Sequence, residues 1–157
     1  MRGREARGDA ALSEPTLTQA HGRLSIETEG AGFTDITGRL KMWLADNRAD
    51  DGLLTVFLRH TSASLTIQEN ADPAVLADLA DALARLAPES RSYRHDSEGP
   101  DDMPSHIKSM LTATSLSLPV LAGRMVLGTW QAVYLIEHRL APHRREVLLH
   151  YVGTRAA

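Results

Sequence analysis

The chain contains no cysteine, which excludes a disulfide-stapled fold, a thiolate nucleophile and a zinc site built on thiolates. Any metal site must therefore use histidine and carboxylate ligands. The absence of cysteine is also compatible with a reducing compartment, and we expect the protein to be cytoplasmic. Aromatic residues make up only 4% of the chain, so aliphatic side chains must fill the core.

Basic charge and long apolar runs are scarce as well. The net charge is −3, which leaves no general positive surface for a phosphate backbone, so nucleic acid is not an expected partner. No apolar stretch reaches the length of a membrane span, and none follows the arginines near the N-terminus, so we expect neither a membrane partner nor an export signal.

The length of 157 residues is that of one compact domain. Residues 1–20 mix glycine, charge and proline without apolar periodicity, which predicts a disordered N-terminal extension followed by a single domain over residues 21–157.

Hydrophobic periodicity predicts a mixture of strands and helices. Strands are expected at residues 21–29, at 53–59 continuing through 60–70, at 116–120, as one long strand over 124–139, and at 145–152. Strands outnumber helices and do not alternate with them regularly. The expected class is therefore α+β, with a mostly antiparallel, β-sandwich-like core and a few helices.

Three amphipathic helices are expected between these strands. The first is capped by Thr34 or Asp35 and places Trp43 in the core. The second begins with Asp72 as its N-cap and Pro73 as its first residue, and its predicted core stripe is Val75, Leu79, Leu83 and Leu86. Pro104 is expected to open the third, which puts His106 in its first turn.

The most notable local cluster lies in the segment YRHDSEGPDDMPSH. It contains two histidines and four acids, namely His95, Asp96, Glu98, Asp101, Asp102 and His106. Imidazole with carboxylate is the set that a cysteine-free protein would use for a divalent metal. A helix N-terminus would also favour the neutral imidazole of His106 that can bind metal or act as a base. The spacing matches no standard motif, so a solvated acidic loop is the alternative interpretation.

Two further groups of residues are candidates for chemistry. His60, Ser62 and Ser64 would share one face of a continuous strand and resemble a nucleophile pair only weakly. In the segment GTWQ, Trp130 could stack on a substrate or lie in an interface. Gln131 and Glu137 are six residues apart, about 20 Å along a straight strand. Either they serve different sites, the strand bends at Gly128, or neighbouring subunits combine them.

Three segments together resemble the YjbQ-like family, also called the secondary thiamine-phosphate synthase enzyme family. They are HTSASLTIQENADP at 60–73, HDSEGPDDMPSHIKS at 95–109, and SLSLPVLAGRMVLGTWQAVYLIEHR at 115–139. The resemblance covers roughly residues 20–153. Ser105 and Ala132 depart from the usual alanine and glycine, and neither change removes a candidate ligand.

The resemblance implies a homotrimer with a site near the subunit boundaries and a weak thiamine-phosphate synthase activity. That reaction joins a pyrimidine pyrophosphate to a thiazole phosphate and releases pyrophosphate. Carried over by position, the implied metal-site or catalytic residues are His60, His95, Asp102, His106, Gln131 and Glu137.

The first hypothesis is a transferase that uses a divalent ion such as zinc, manganese or magnesium and acts on a small phosphorylated metabolite. His95 and His106 would hold the ion, and Asp102 would orient or complete the site. Catalytic roles fall to His60, Asp102, Gln131 and Glu137, and substrate binding to Ser62, Trp130 and Arg139.

Two other hypotheses stay open, and the sequence alone does not establish that the protein is an enzyme. In one, the same residues bind a metal or a phosphate without turnover, as a housekeeping protein. In the other, the histidines only hold the trimer together.

Overall fold

A computed structural model describes residues 15–89 and 92–157. Of the extension predicted over residues 1–20, positions 1–14 lie outside the described residues. Thr18 to Ala20 belong to the first strand, so the strand expected from His21 begins three residues earlier.

The described residues form three α-helices and eight β-strands. The helices are α1 (Thr37–Asp46), α2 (Pro73–Leu86) and α3 (Asp102–Leu111). The strands are β1 (Thr18–Thr28), β2 (Gly32–Asp35), β3 (Ala49–Leu58), β4 (Ala63–Glu69), β5 (Ser115–Leu121), β6 (Arg124–Met125), β7 (Gln131–Glu137) and β8 (His143–Arg155).

The strands form two antiparallel sheets, which confirms the predicted α+β class. The larger sheet has five strands in the order β1-β8-β3-β5-β6, and the smaller has three in the order β2-β7-β4. Aliphatic residues that alternate along β3, β7 and β8 fill the space between the sheets, among them Leu54, Val56, Leu135, Val147 and Leu149. The core of a β-sandwich is built in this way from the inner faces of both sheets.

Helix α1 contributes Leu40 and Leu44 to the core. Asp35 accepts a hydrogen bond from the Thr37 backbone N–H at 2.8 Å, although the N-cap position itself is Ile36. Trp43 packs against the core as predicted. Its indole lies directly over Gly22, where any Cβ would clash with the ring.

The strand predicted from residue 53 through residue 70 is wrong as one element. Residues 59–62 interrupt it, and the chain passes from β3 in the five-stranded sheet to β4 in the three-stranded sheet. As a result His60, Ser62 and Ser64 do not share a face. His60 and Ser62 contact Arg145, whereas Ser64 contacts His138.

The long strand predicted over 124–139 is also two strands in different sheets. β6 ends at Met125, and β7 begins at Gln131. Between them the Gly128 N–H donates to Gln131 Oε1 at 2.8 Å and the Gln131 N–H donates to Gly128 O at 3.0 Å. The glycine therefore marks the change of sheet, consistent with its poor fit to a strand interior.

Helix α2 begins as predicted, with Asp72 accepting from the Ala74 N–H at 2.9 Å and Pro73 in the first turn. Its predicted core stripe is wrong, because none of its residues is buried and Leu86 is 66% exposed. The helix lies outside the three-stranded sheet, where Ala80 and Leu83 border a cavity with Ile136. It therefore adds a layer to the sandwich and contributes no residue to the core.

Candidate functional site

Helix α3 presents Asp102 and His106 one turn apart. The helix begins at Asp102, two residues before Pro104, so His106 lies in the second turn and not in the first as predicted. Residues four apart on a helix share a face. Asp102 Oδ2 is accordingly 3.6 Å from His106 Nε2 and 2.7 Å from His95 Nε2, which comes from the preceding loop.

These three side chains are the only group of potential metal ligands found in residues 15–89 and 92–157. One ligand atom from each of His95, Asp102 and His106 lies within 4.8 Å of the others. Asp102 is buried, while the two imidazoles remain partly open to solvent. Of the other three acids of the predicted loop, Asp96 and Glu98 are exposed and Asp101 is buried, and none of them takes part in this group.

The orientation of His106 is set by a backbone carbonyl. His106 Nδ1 lies 2.9 Å from Thr61 O, and a carbonyl oxygen only accepts, so Nδ1 carries the proton. In the neutral ring the lone pair is then on Nε2, the nitrogen that faces Asp102. An imidazole fixed through its outer nitrogen in this way is the usual form of a metal-binding histidine.

Arg139 holds the carboxylates behind this cluster. Its guanidinium donates to Asp101 Oδ2 at 3.0 Å, to Asp102 Oδ1 at 2.6 Å and to Glu98 O at 2.9 Å. Hydrogen bonding to Asp101 is the main reason that the pKa of Arg139 is raised. Because its donors are used inside the protein, Arg139 positions Asp102, and its predicted contact to substrate stays a prediction.

Asp101 completes this support. Burial alone would raise the pKa of its carboxyl group, but hydrogen bonds from the Leu140 N–H and from Arg139 outweigh burial and lower it. The carboxylate is therefore ionised when it binds Arg139.

A second charged group lies between the ends of the two sheets. Glu137 and Arg145 form a buried ion pair at 2.7 and 2.5 Å. Thr28 Oγ1 also donates to Glu137 at 2.9 Å, and so does the Arg139 backbone N–H at 3.0 Å. Burial would raise the pKa of Glu137, but these hydrogen bonds, led by that from Arg145, lower it.

His60 and Ser62 surround this ion pair. Arg145 donates to Ser62 Oγ at 3.0 Å, and His60 Nε2 accepts from the Glu146 backbone N–H at 2.9 Å. Burial, and then the charge of Arg145, lowers the pKa of His60. The structure thus brings three predicted site residues, His60, Ser62 and Glu137, to one centre. The Arg139 N–H bond links that centre to the metal-ligand cluster.

Gln131 and Trp130 lie at the opposite end of β7 from Glu137. The strand is continuous from Gln131 to Glu137, so the bend considered at Gly128 does not bring the two side chains together within one chain. Trp130 is 65% exposed, and with Gln131 and Glu69 it lines a separate hollow of about 410 Å³.

Two open hollows are lined by residues of these two centres, one by His95 of the metal-ligand cluster and one by His60 beside the ion pair. One, of about 290 Å³, is lined by His95, Tyr93 and Gly99. Another, of about 570 Å³, is lined by Arg59, His60 and Thr61, the residue whose carbonyl holds His106. Both could admit a small molecule beside the cluster.

Arg145 is the residue next to the candidate site residues whose role did not follow from the sequence. The alternation along β8 could have indicated it, because Arg145 lies on the same inward face of the strand as Val147, Leu149 and Tyr151. A cation on such a face requires a buried acid as its partner, and Glu137 is that acid.

The chain is similar over most of its length to proteins described as UPF0047. A model of the family described as UPF0047 protein YjbQ-like matches residues 22–154. A UPF0047 protein of Synechocystis is 51% identical, with 90% of this chain and 97% of that protein covered. The UPF0047 protein YjbQ of Escherichia coli O157:H7 is 46% identical, with 80% and 91% covered.

Solved structures of similar proteins have the same fold. A conserved hypothetical protein from Thermus thermophilus is 40% identical with a TM-score of 0.73, covering 82% of this chain and 97% of that one. A YbjQ-like protein of unknown function from Sulfolobus solfataricus shares the fold, with a TM-score of 0.81 at 19% identity over 88% of this chain and 99% of that one.

Proposed function

Since the chain belongs to the UPF0047 family of YjbQ-like proteins, we propose that it is a metal-dependent enzyme acting on a small phosphorylated metabolite. The observation that carries the proposal is the convergence of His95, Asp102 and His106, with one ligand atom from each within 4.8 Å of the others. The reaction to test first is the thiamine-phosphate synthase reaction that the family resemblance implies.

The donor set fits a divalent cation. Two imidazoles and one carboxylate leave coordination positions open for water or substrate, as in catalytic zinc sites with two histidines and one carboxylate. Imidazole suits zinc better than it suits magnesium, whereas manganese accepts both donor types. We therefore propose zinc or manganese ahead of magnesium. Such an ion would neutralise the charge on a pyrophosphate leaving group.

The chain's own residues have separate roles in this proposal. His95 Nε2, His106 Nε2 and an oxygen of Asp102 would hold the ion, and Arg139 keeps Asp102 aimed at it. In the larger hollow, the exposed guanidinium of Arg59 and the hydroxyl of Ser62 would bind phosphate oxygens. The neutral imidazole of His60 beside them would orient the substrate.

In the synthase reaction, the methylene carbon of the pyrimidine forms a bond to the thiazole nitrogen while its bond to the pyrophosphate oxygen breaks. The electron pair of the broken bond leaves with pyrophosphate. No nucleophilic side chain is required, which agrees with the state of Glu137, whose two carboxylate oxygens accept four hydrogen bonds within the protein.

We further propose a cytoplasmic homotrimer. Gln131 and Trp130 are too far along β7 to join Glu137 in the same chain, so a neighbouring subunit would have to supply them to a shared site. No helix in the described ranges has the length and apolarity needed to span a bilayer.

A non-catalytic protein that binds a metal or a phosphate is the second candidate. It is favoured because the polar side chains near the metal-ligand cluster, such as Arg139, already form hydrogen bonds with groups of the protein itself. In this case ligand would raise the melting temperature of the protein without product at any protein concentration.

The test is metal analysis of the untagged protein beside His106→Ala, together with the mass of the assembly. We expect about one zinc or manganese ion per subunit in the parent, little in His106→Ala, and an unchanged trimer in both. His21→Ala, which removes an exposed imidazole of β1, is the matched control and should keep its metal.

The outcomes separate the candidates. Pyrophosphate release that depends on the added ion and is lost in His106→Ala supports the enzyme. Metal binding without turnover supports the second candidate. Absence of metal in the parent after zinc and manganese have been added back would contradict both metal proposals, and dissociation of the His106→Ala trimer would indicate a structural role.

A further inference from the structure

A small cavity lies between α2 and the outer face of the three-stranded sheet. Its volume is about 100 Å³. Its apolar walls include Phe33 of β2, Leu83 of α2 and Ile136 of β7. Lys108 of α3, Glu137 and His138 also line it, and the carboxylate of Glu137 is paired with Arg145. Lys108 and His106 are two residues apart on α3 and so point to roughly opposite sides of that helix, which separates this cavity from the candidate metal centre.

His138 is a buried polar group with one ring nitrogen available. The residue is 3% exposed. Its Nε2 lies 2.8 Å from the hydroxyl of Ser64, while Nδ1 has no hydrogen bond to any residue in the described part of the chain. Burial, and then the charge of Lys108, lowers the pKa of His138 to about 4, so the ring is neutral near pH 7. A hydroxyl can donate or accept, and in the tautomer in which Ser64 donates to Nε2, Nδ1 carries the proton and is a donor.

Lys108 gives the cavity a positive charge. No carboxylate lies within 4.0 Å of its ammonium group among residues 15–89 and 92–157. The other charged side chains that act on His138 are Glu137 and Arg145, and these two neutralise each other in their ion pair. A partly enclosed pocket with one ammonium group and one imidazole donor attracts a single negative charge.

We propose that this cavity is a binding site for a small monocarboxylate with a short aliphatic tail, of the size of acetate or propionate. The carboxylate would contact Lys108 and His138 Nδ1, and the tail would lie against Phe33, Leu83 and Ile136. The size follows from the volume: a cavity of about 150 Å³ accommodates benzene, so one of this size suits about four heavy atoms. The site needs no metal and is separate from the proposed enzymatic function.

Titration with propionate, followed through the NMR signals of the His138 ring and the Ile136 methyl groups, tests the proposal. We expect saturable shifts with a micromolar to millimolar dissociation constant, the range open to so small a ligand. Lys108→Met should weaken binding by about ten-fold or more, because a charge-assisted contact is lost. Lys41, on α1, is the only other lysine of the chain, so Lys41→Met is the matched control and should bind like the parent.

Two further ligands separate charge from shape. Propionamide has the same shape without the charge, and inorganic phosphate has charge without the tail, so both should bind more weakly than propionate. Filling the cavity with Ala80→Met, which leaves the charges unchanged, should abolish the response. Equal binding of propionamide, equal binding of phosphate, propionate binding unaffected by Lys108→Met or Ala80→Met, or no saturable shift in the parent would each overturn the proposal.

Discussion

Two charged centres lie side by side in this molecule, and they differ in what their polar atoms contact. In the ion-pair centre, Glu137 and Arg145 are almost completely buried, and their donors and acceptors are used by neighbours within the fold. In the metal-ligand cluster, His95 and His106 are partly exposed, and the Nε2 atoms of both rings face one carboxylate, that of Asp102.

The contrast indicates which centre supports the fold and which is suited to bind something. A buried charge whose hydrogen bonds are complete has little capacity left for a ligand, and removing its partner is costly. Donor atoms that converge at the surface contribute little stability by themselves and can accept an ion. Arg139 belongs to both centres, because its side chain holds Asp102 and its backbone N–H donates to Glu137.

The largest effect should come from breaking the ion pair. Glu137→Gln leaves Arg145 buried without a counter-charge, and we expect a loss of about 3–5 kcal/mol in the free energy of unfolding, measured by urea denaturation. Glu27→Gln is the control, because Glu27 pairs with Arg144 at the exposed surface and should have little effect. A Glu137→Gln protein as stable as the control would contradict the structural role.

Acid should produce the next largest effect. Burial, and then the charge of Lys108, lowers the pKa of His138 from 6.5 to about 4. The charge of Glu137 opposes this shift, and the charge of Arg145 adds to it. Between these two values only the unfolded state takes up the proton, so stability is full above pH 6.5 and falls as the pH drops toward 4. The expected loss is on the order of 3 kcal/mol, measured by urea denaturation at several pH values.

The pH dependence has its own control. His138→Gln removes this titrating group and should reduce the slope of this part of the curve, whatever the effect of the substitution on absolute stability. A smaller slope of the same sign should remain, because the pKa of His60 is also lowered. His21→Ala should keep the slope of the parent. A parent curve that is flat between pH 6.5 and 4 would show that protonation of His138 is not resisted by the fold.

The smallest effect on stability should come from the metal-ligand cluster. His95→Ala, at a half-exposed side chain, should change the free energy of unfolding by no more than about 0.5 kcal/mol without metal. With zinc at about 100 times its dissociation constant, the parent should gain about 2.7 kcal/mol and the variant much less. Differential scanning calorimetry with and without zinc measures both. Equal stabilisation of the two proteins would exclude His95 as a ligand.

Several features were predictable because they depend on residues close together in the chain. Asp72 and Pro73 predict the start of α2, since a cap acts on the next few N–H groups. Asp102 and His106 lie four residues apart, so any helix that includes them brings them to one face. The loop with His95 was identified by its composition. The antiparallel class followed from strand periodicity, and the family from three motifs.

Other features could not be predicted from local patterns. The two long apolar runs predict single strands, because alternation does not show which sheet a strand joins. Of the two changes of sheet, at residues 59–62 and 126–130, only the second is indicated in the sequence, by Gly128. The apolar stripe of α2 predicts a helix that packs into the core. In the structure the helix lies on the outer face of the three-stranded sheet, and the core lies on the other face of that sheet.

The sequence by itself determined the antiparallel α+β class, the start of α2, the family and the identity of the candidate ligands, because these depend on residue type and short spacing. Only the tertiary structure decided that Glu137 belongs to Arg145, that Arg139 positions Asp102, and that Ser64 joins His138 under α2. These pairings join residues from different strands and helices, and burial makes each polar group take the partner that the packing of the sheets brings within reach.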